Sequence, residues 1–173
     1  GPSVIVLGFP GPSVGTRPAE AAQVLASSLT MMGGRLWRSL REGPPHAYSV
    51  GAMPMPLRLG GAFVGHVTSQ PGSEETAVER YVAELSDVAD GGLTEEELSR
   101  ARRYLAGMLE IRMQRSSVRA AGYAMAEVMG LGFERVDLLP GIVRSIDNED
   151  IVGVVERYLT AEDGPAVAIL RGR

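Results

Sequence analysis

The sequence that decides the fold is GGRLWRSLREGPPHAYSV, residues Gly33 to Val50. After the double glycine, Leu36, Trp37 and Leu40 recur at helical spacing, which predicts a short helix with one apolar side. The segment Gly43-Pro44-Pro45 must end that helix, because proline lacks the backbone donor and clashes with the preceding turn.

We expect a strand from Ala47 to Ala52 directly after this stop. Arg41 then lies in the last turn of the helix and Tyr48 at the first residues of the strand. A corner of this kind can bring two side chains to the same spot although they are seven residues apart.

Short apolar segments elsewhere predict the remaining strands. Val4 to Phe9 is almost wholly apolar, which indicates a strand buried on both faces or at the centre of a sheet. Pro54 and Pro56 remove donors from the same edge, so the strand they interrupt is an edge strand or a bulged bend. Gly60-Gly61 is expected to turn the chain into an alternating strand over 62–68, and a final strand spans 166–170.

Apolar residues at a 3.6-residue period predict helices over much of the rest of the chain. The expected helices are one from about Pro18, one capped by Ser73 and closed by Gly91-Gly92, one opened by a Thr94–Glu97 capping box, an amphipathic piece from Ala121 to Met129 after a polar break over 114–119, one from Phe133 to Ser145 weakened at Pro140-Gly141, and one capped by Asn148 or Asp147. Together these elements predict an α+β fold with two layers, in which helices pack on one face of a mainly antiparallel sheet.

Composition excludes several classes of function. A net charge of −4 argues against a nucleic-acid partner. The absence of cysteine removes disulfide and thiolate chemistry. No apolar run approaches the ~20 residues of a membrane span. Because the chain opens on Gly1-Pro2 and runs straight into a strand, we expect a soluble piece of a longer protein without a signal peptide.

The run G-G-R-L-W-R-S-L-R-E, followed five residues later by Y-S-V, resembles the signature of the pitrilysin/insulinase family of zinc peptidases, in its non-metal-binding half. The segment from Leu93 to Ala101 and a closing helix from Ile146 to Leu159 also fall where that family has them. Pro44-Pro45-His46 departs from the family, which more usually has a charged, glycine-containing link. The resemblance implies a fold like that of the mitochondrial processing peptidase, and a bacterial protein of the cytoplasm or periplasm.

The resemblance also implies a role for the corner. In the family, an arginine and a tyrosine at this separation project into the active-site chamber of the partner half, and Arg41 and Tyr48 match that pair. The implied partners are a peptide substrate and an H-x-x-E-H half that carries the zinc, in the same polypeptide or on a separate subunit. A homodimer of the isolated domain is a further arrangement. We expect no nucleic acid, no membrane and no metal bound by this chain.

The residues themselves contain no zinc-binding motif. The chain has only His46 and His66, and neither has a histidine or glutamate partner at H-x-x-E-H spacing. His66 is out of phase with Phe63 and Val67, so it is expected to face away from what they bury, as a surface or satisfied histidine. His46 could touch substrate, although this is the less favoured interpretation.

Other kinds of active site lack a motif as well. No recognisable motif places a histidine near a serine, and the sequence has no phosphate-binding glycine loop and no dinucleotide fingerprint after a strand. The acidic run Glu95-Glu96-Glu97 is explained by the start of a helix rather than by a metal site.

Taken from the residues alone, Arg41 and Tyr48 also have ordinary structural explanations. The helix dipole favours an arginine at a helix C-terminus, and a tyrosine that opens a strand is common. With the resemblance, two hypotheses follow for residues 1–173 as one domain. In the first, the domain is the substrate-binding half of a zinc endopeptidase, in which both side chains donate to a substrate carbonyl. In the second, it is an inactive scaffold member of the same family.

Overall fold

The computed structural model describes residues 1–42, 47–160 and 164–172, apart from the side chain of Glu42. Within these residues, four strands form one antiparallel sheet. The strands are β1 (Ser3–Gly11), β2 (Ser49–Leu57), β3 (Gly60–Ser69) and β4 (Ala166–Leu170), and their order in the sheet is β2-β3-β1-β4.

Helices make up the second layer, as the periodicity predicts. They are α1 (Arg17–Thr30), α2 (Arg35–Trp37, continued by a π-helical turn over Arg38–Glu42), α3 (Glu74–Gly91), α4 (Glu95–Met113), α5 (Ser116–Val128), α6 (Glu134–Ser145) and α7 (Asn148–Val154, continued by a π-helical turn over Val155–Leu159). The predicted α+β fold with helices on one face of an antiparallel sheet is confirmed.

The position of β1 inside the sheet is confirmed, but the prediction that both of its faces could be buried is wrong. Ile5 and Leu7 are buried under the helices, whereas Val4 and Val6 are exposed on the opposite face. The reason is that helices cover only one side of the sheet. We call the uncovered side the open face.

The hairpin of β2 and β3 corrects two further expectations. The prolines do not interrupt β2, which begins at Ser49 rather than Ala47 and runs through Pro54 and Pro56. Because β2 lies at the edge of the sheet, the missing donors do not break the ladder to β3, and the edge assignment is confirmed. The turn falls on 58–59, so Gly60 and Gly61 already belong to β3.

Helix ends follow the predicted caps in most cases. Thr94 and Glu97 form the expected capping box, and Asp147 forms another with Asp150. Ser73 precedes α3 but makes no capping hydrogen bond with its side chain, so that prediction is wrong. Instead, the buried Glu74 carboxylate accepts a hydrogen bond from the Gly72 amide at 2.8 Å.

Two more helical expectations are settled by the structure. The polar segment between α4 and α5 does break the helix, which stops at Met113 and resumes at Ser116. The helix expected from Phe133 to Ser145 is found as α6, which runs from Glu134 to Ser145 with Pro140 inside it.

Candidate functional site: an arginine–tyrosine corner

An ion pair fixes α2 against the start of α4. Arg35 donates two hydrogen bonds to the Glu97 carboxylate, at 3.0 Å from Nε and 2.8 Å from Nη2, and a third to the Gly92 carbonyl at 3.0 Å. Arg38 approaches the same carboxylate at 3.4 Å. The hydrogen bonds from Arg35 and from the Thr94 amide outweigh the effect of burial and lower the pKa of Glu97 to about 2. Glu97 is therefore charged at neutral pH and holds α2 in place.

The π-helical turn carries Arg41, which stacks on a partly buried aromatic ring. Leu36 and Leu40 are buried in the core, as their spacing predicts. Trp37 is only partly buried, and the Arg41 guanidinium carbon lies 4.0 Å above the centre of its ring. This distance is typical of a cation–π contact, which restrains an otherwise mobile arginine. The helical spacing predicts only that Trp37 lies on the apolar side of the helix. Its position four residues before Arg41 was the available signal for the stacking role.

Backbone hydrogen bonds close the corner between α2 and β2. The Ala47 amide donates to the Leu40 carbonyl at 2.6 Å, and the Tyr48 amide donates to the Thr68 carbonyl of β3 at 2.7 Å. Leu40 and Ala47, which directly precede Arg41 and Tyr48, are therefore joined by a backbone hydrogen bond. Both side chains of the pair are exposed, that of Tyr48 with 55% of the residue accessible. Two hydrogen-bond donors thus lie on the surface at the start of β2.

Of the two histidines, His66 lies within the described residues. His66 is exposed on the open face, while Phe63 and Val67 are buried, so its predicted phase is confirmed. Its imidazole lies against Gly51 of the neighbouring strand β2. His46 and the link Pro44-Pro45-His46 lie outside the described residues.

The donor set does not fit a zinc ion. Over residues 1–42, 47–160 and 164–172, no three histidine, cysteine, aspartate or glutamate side chains come close enough to hold a metal. The three glutamates at the start of α4 lie at the helix N-terminus, and each pairs with an arginine. Glu97 pairs with Arg35, Glu95 with Arg102 at 3.1 Å and Glu96 with Arg100 at 3.7 Å.

Comparison with known families decides the assignment. Residues 2–105 match the family model described as the peptidase M16 inactive domain. The chain belongs to this family. The M16 assignment confirms the resemblance to the non-metal-binding half of zinc peptidases.

Solved structures show the same fold. The inactive peptidase domain of a putative zinc protease from Bordetella parapertussis is 19% identical, with a TM-score of 0.86, and the match covers 98% of this chain and 92% of that one. A protease from Helicobacter pylori is 17% identical with a TM-score of 0.86, and this chain covers 41% of its length. The periplasmic protease PqqL from Escherichia coli is 17% identical with a TM-score of 0.76, and only 19% of its chain is covered. The same fold thus occurs both in a separately solved domain and within longer chains.

No curated protein matches the sequence. Among the described residues, no helix combines the length and the apolar character that crossing a membrane requires.

Proposed function

We propose that residues 1–173 form one domain, the substrate-binding half of a zinc-dependent metalloendopeptidase. Its partner is an H-x-x-E-H half that holds the zinc, and its ligand is a peptide substrate. The observation that supports this proposal is the closed corner, in which the Ala47 amide donates to the Leu40 carbonyl and the residues that follow these two, Tyr48 and Arg41, are exposed.

The chemistry of the pair suits a peptide carbonyl. The Arg41 guanidinium and the Tyr48 hydroxyl both donate hydrogen bonds in their ordinary protonated forms. When a peptide bond is attacked, negative charge develops on the carbonyl oxygen. Donors aimed at that oxygen stabilise the charged intermediate more than the ground state. The Trp37 ring supports this role because it limits the freedom that Arg41 would lose on binding.

The partner half supplies the metal chemistry, and this domain supplies binding and orientation. The family assignment supports zinc in the catalytic half, in the same polypeptide or on a separate subunit. Coverage of only 41% of the Helicobacter pylori protease supports a fused arrangement in that relative. The alternative is an inactive scaffold, in which Arg41 and Tyr48 have no catalytic consequence.

Replacing Arg41 by Ala in the complete two-part enzyme tests the proposal. We expect turnover of an unfolded, internally quenched peptide to fall on the order of 10²-fold, the effect of losing one donor at a developing oxyanion. Tyr48→Phe should lower turnover in the same direction, since it removes only the hydroxyl. The measurement is kcat and KM from the initial rates.

Arg103→Ala is the matched control, because Arg103 is an exposed arginine on α4 whose contact is with Ser99. Its turnover should equal that of the unmodified enzyme. Unchanged turnover in Arg41→Ala would exclude the donor role. A complete assembly that cleaves no peptide would instead favour the scaffold. The 173-residue chain alone should bind no zinc by metal analysis.

A further inference from the structure

A cavity of about 740 Å³ lies between α1, α4, α5 and α6. None of its lining residues belongs to the arginine–tyrosine corner. Its walls are mainly apolar and rich in methionine, and they include Leu109, Met113, Met125, Met129, Leu131 and Val136. Methionine side chains are flexible and adapt to ligands of varied shape. The volume falls in the range of roughly 300–1,000 Å³ that holds small ligands.

The polar side chains that line the cavity are those of Glu20, Gln23, Arg112, Ser117 and Arg135. Arg112 lines it and makes no ion pair with any residue that the structure describes. Gln23 also lines it, and its side chain makes no hydrogen bond to the described part of the chain. Arg135 is already paired with Glu20 at 2.8 Å. Among the described lining residues, the groups left with free hydrogen-bonding capacity are thus one cation, Arg112, and two neutral groups, the Gln23 amide and the Ser117 hydroxyl.

The charge of the segment beside the cavity also favours an anionic ligand. Residues 111–126 contain Arg112, Arg115 and Arg119 and no acidic residue, although the whole chain has a net charge of −4. Of these three arginines, Arg112 alone lines the cavity. The segment spans the break between α4 and α5, beside the cavity. A ligand that complements the site therefore has an apolar body and an anionic end.

Two kinds of ligand could combine an apolar body with an anionic end, namely a helix of a partner protein and a single alkyl chain with a carboxylate. The volume of the cavity distinguishes them. An α-helix with side chains is about 10–12 Å across and rises about 5.4 Å per turn, so one turn fills roughly 500 Å³. The cavity could hold little more than one turn of a helix from a partner protein. A single alkyl chain with a carboxylate at one end needs less space than the cavity offers.

We propose that this cavity binds a single-chain apolar carboxylate of the fatty-acid type. The alkyl chain lies among Met113, Met125 and Val136, and the carboxylate meets Arg112. The weak attachment of α5 is consistent with this, because Ala126 is its one buried residue and Met125 is largely exposed. A bound chain would cover apolar surface that α5 leaves uncovered.

Titration of laurate into the 173-residue chain, kept below the micelle concentration and followed by calorimetry, tests the proposal. We expect saturable binding with one site, and little binding of dodecyltrimethylammonium, which has the same chain length and the opposite charge. Arg112→Gln should weaken laurate binding about ten-fold, the effect of losing one charged hydrogen bond. Ala121→Trp should abolish binding, because this exposed α5 residue lines the cavity and an indole would fill it.

Arg103→Gln, an exposed arginine of α4 outside the lining, is the matched control and should bind laurate as the unmodified chain does. Circular dichroism establishes that each variant is folded. Absence of laurate binding would overturn the proposal, as would equal binding of the cationic analogue. Laurate affinity unchanged in both Arg112→Gln and Ala121→Trp would place the ligand elsewhere. An acidic amphipathic peptide that binds where laurate does not would overturn the choice of ligand.

Discussion

At the scale of single residues, Tyr81 shows how one hydroxyl joins the helical layer to the sheet. It is buried on α3, and its hydroxyl donates to the Gly51 carbonyl of β2 at 3.0 Å. Burial raises the pKa of this phenol above its usual value, so the group stays protonated and remains a donor.

We predict that Tyr81→Phe lowers the free energy of unfolding by about 1–3 kcal/mol, because a buried carbonyl loses its hydroxyl donor. Tyr104→Phe is the control, since Tyr104 is exposed on α4. Urea denaturation of the two variants checks the prediction. Equal stability of both would mean that the Tyr81 hydroxyl contributes nothing net.

Glu97 predicts how stability depends on pH. Its folded pKa of about 2 lies below the ordinary value of 4.5. The stabilisation by Glu97 is therefore fully present above pH 4.5 and is lost as the pH falls towards 2. Since Arg38 is largely exposed and solvent screens its contact, we expect a contribution of about 1–2 kcal/mol rather than the full value of the shift.

Glu97→Gln measures this contribution. The variant should be less stable than the unmodified chain at pH 7, and the difference should shrink as the pH falls through 4.5 towards 2. Comparing the two chains isolates Glu97 from other carboxyls with a lowered pKa, such as Glu75 and Asp150. A difference that stays constant with pH would contradict the assignment.

At the scale of elements, helices cover one face of the sheet and leave the other open. Two glycines of neighbouring strands, one on each face, show this difference in packing. A Cβ built on Gly65 would lie 2.6 Å from Cζ of Tyr81, on the face beneath the helices. A Cβ built on Gly8 would meet only Ala166, at 3.8 Å from its carbonyl oxygen. The first glycine is required by the ring above it, and the second is not.

Gly65→Ala should therefore destabilise the fold by about 1–3 kcal/mol, the usual cost of overpacking a core. Gly8→Ala should change the free energy of unfolding by no more than about 0.5 kcal/mol. Thermal denaturation followed by circular dichroism distinguishes the two. Similar losses in both variants would show that the open face is packed as tightly as the covered one.

Periodicity predicted the existence of the elements better than their burial. The capping box at Thr94 was found from sequence because its interactions are local, within three residues. α5 was also predicted from its apolar period, yet Met125 and Val128 are exposed. A period identifies an amphipathic helix, but only the neighbouring helices determine whether its apolar side is covered.

At the scale of the whole molecule, a buried network joins the two ends of the described chain. The Ser3 hydroxyl donates to Glu74 at 2.6 Å and accepts from the Gly172 amide at 2.9 Å. Arg171 also approaches Glu74, at 3.2 Å. The hydrogen bond from Ser3 is the main reason that the pKa of Glu74 is lowered.

Ser3→Ala removes the centre of this network, and we predict a fall in the denaturation midpoint of about 3–6 °C. Ser116→Ala, at an exposed position that starts α5, should leave the midpoint unchanged. Differential scanning calorimetry at pH 7 makes the comparison. An unchanged midpoint in Ser3→Ala would show that water replaces the lost hydroxyl.

The sequence by itself determined the elements, most of their ends, the antiparallel hairpin and the arginine–tyrosine motif, because each depends on residues close together in the chain. Only the tertiary structure decided which side of the sheet the helices cover, and that Trp37 supports Arg41. It also revealed the cavity lined by α1, α4, α5 and α6. These features arise where segments distant in sequence pack together, and no local pattern of side chains encodes which segments will meet.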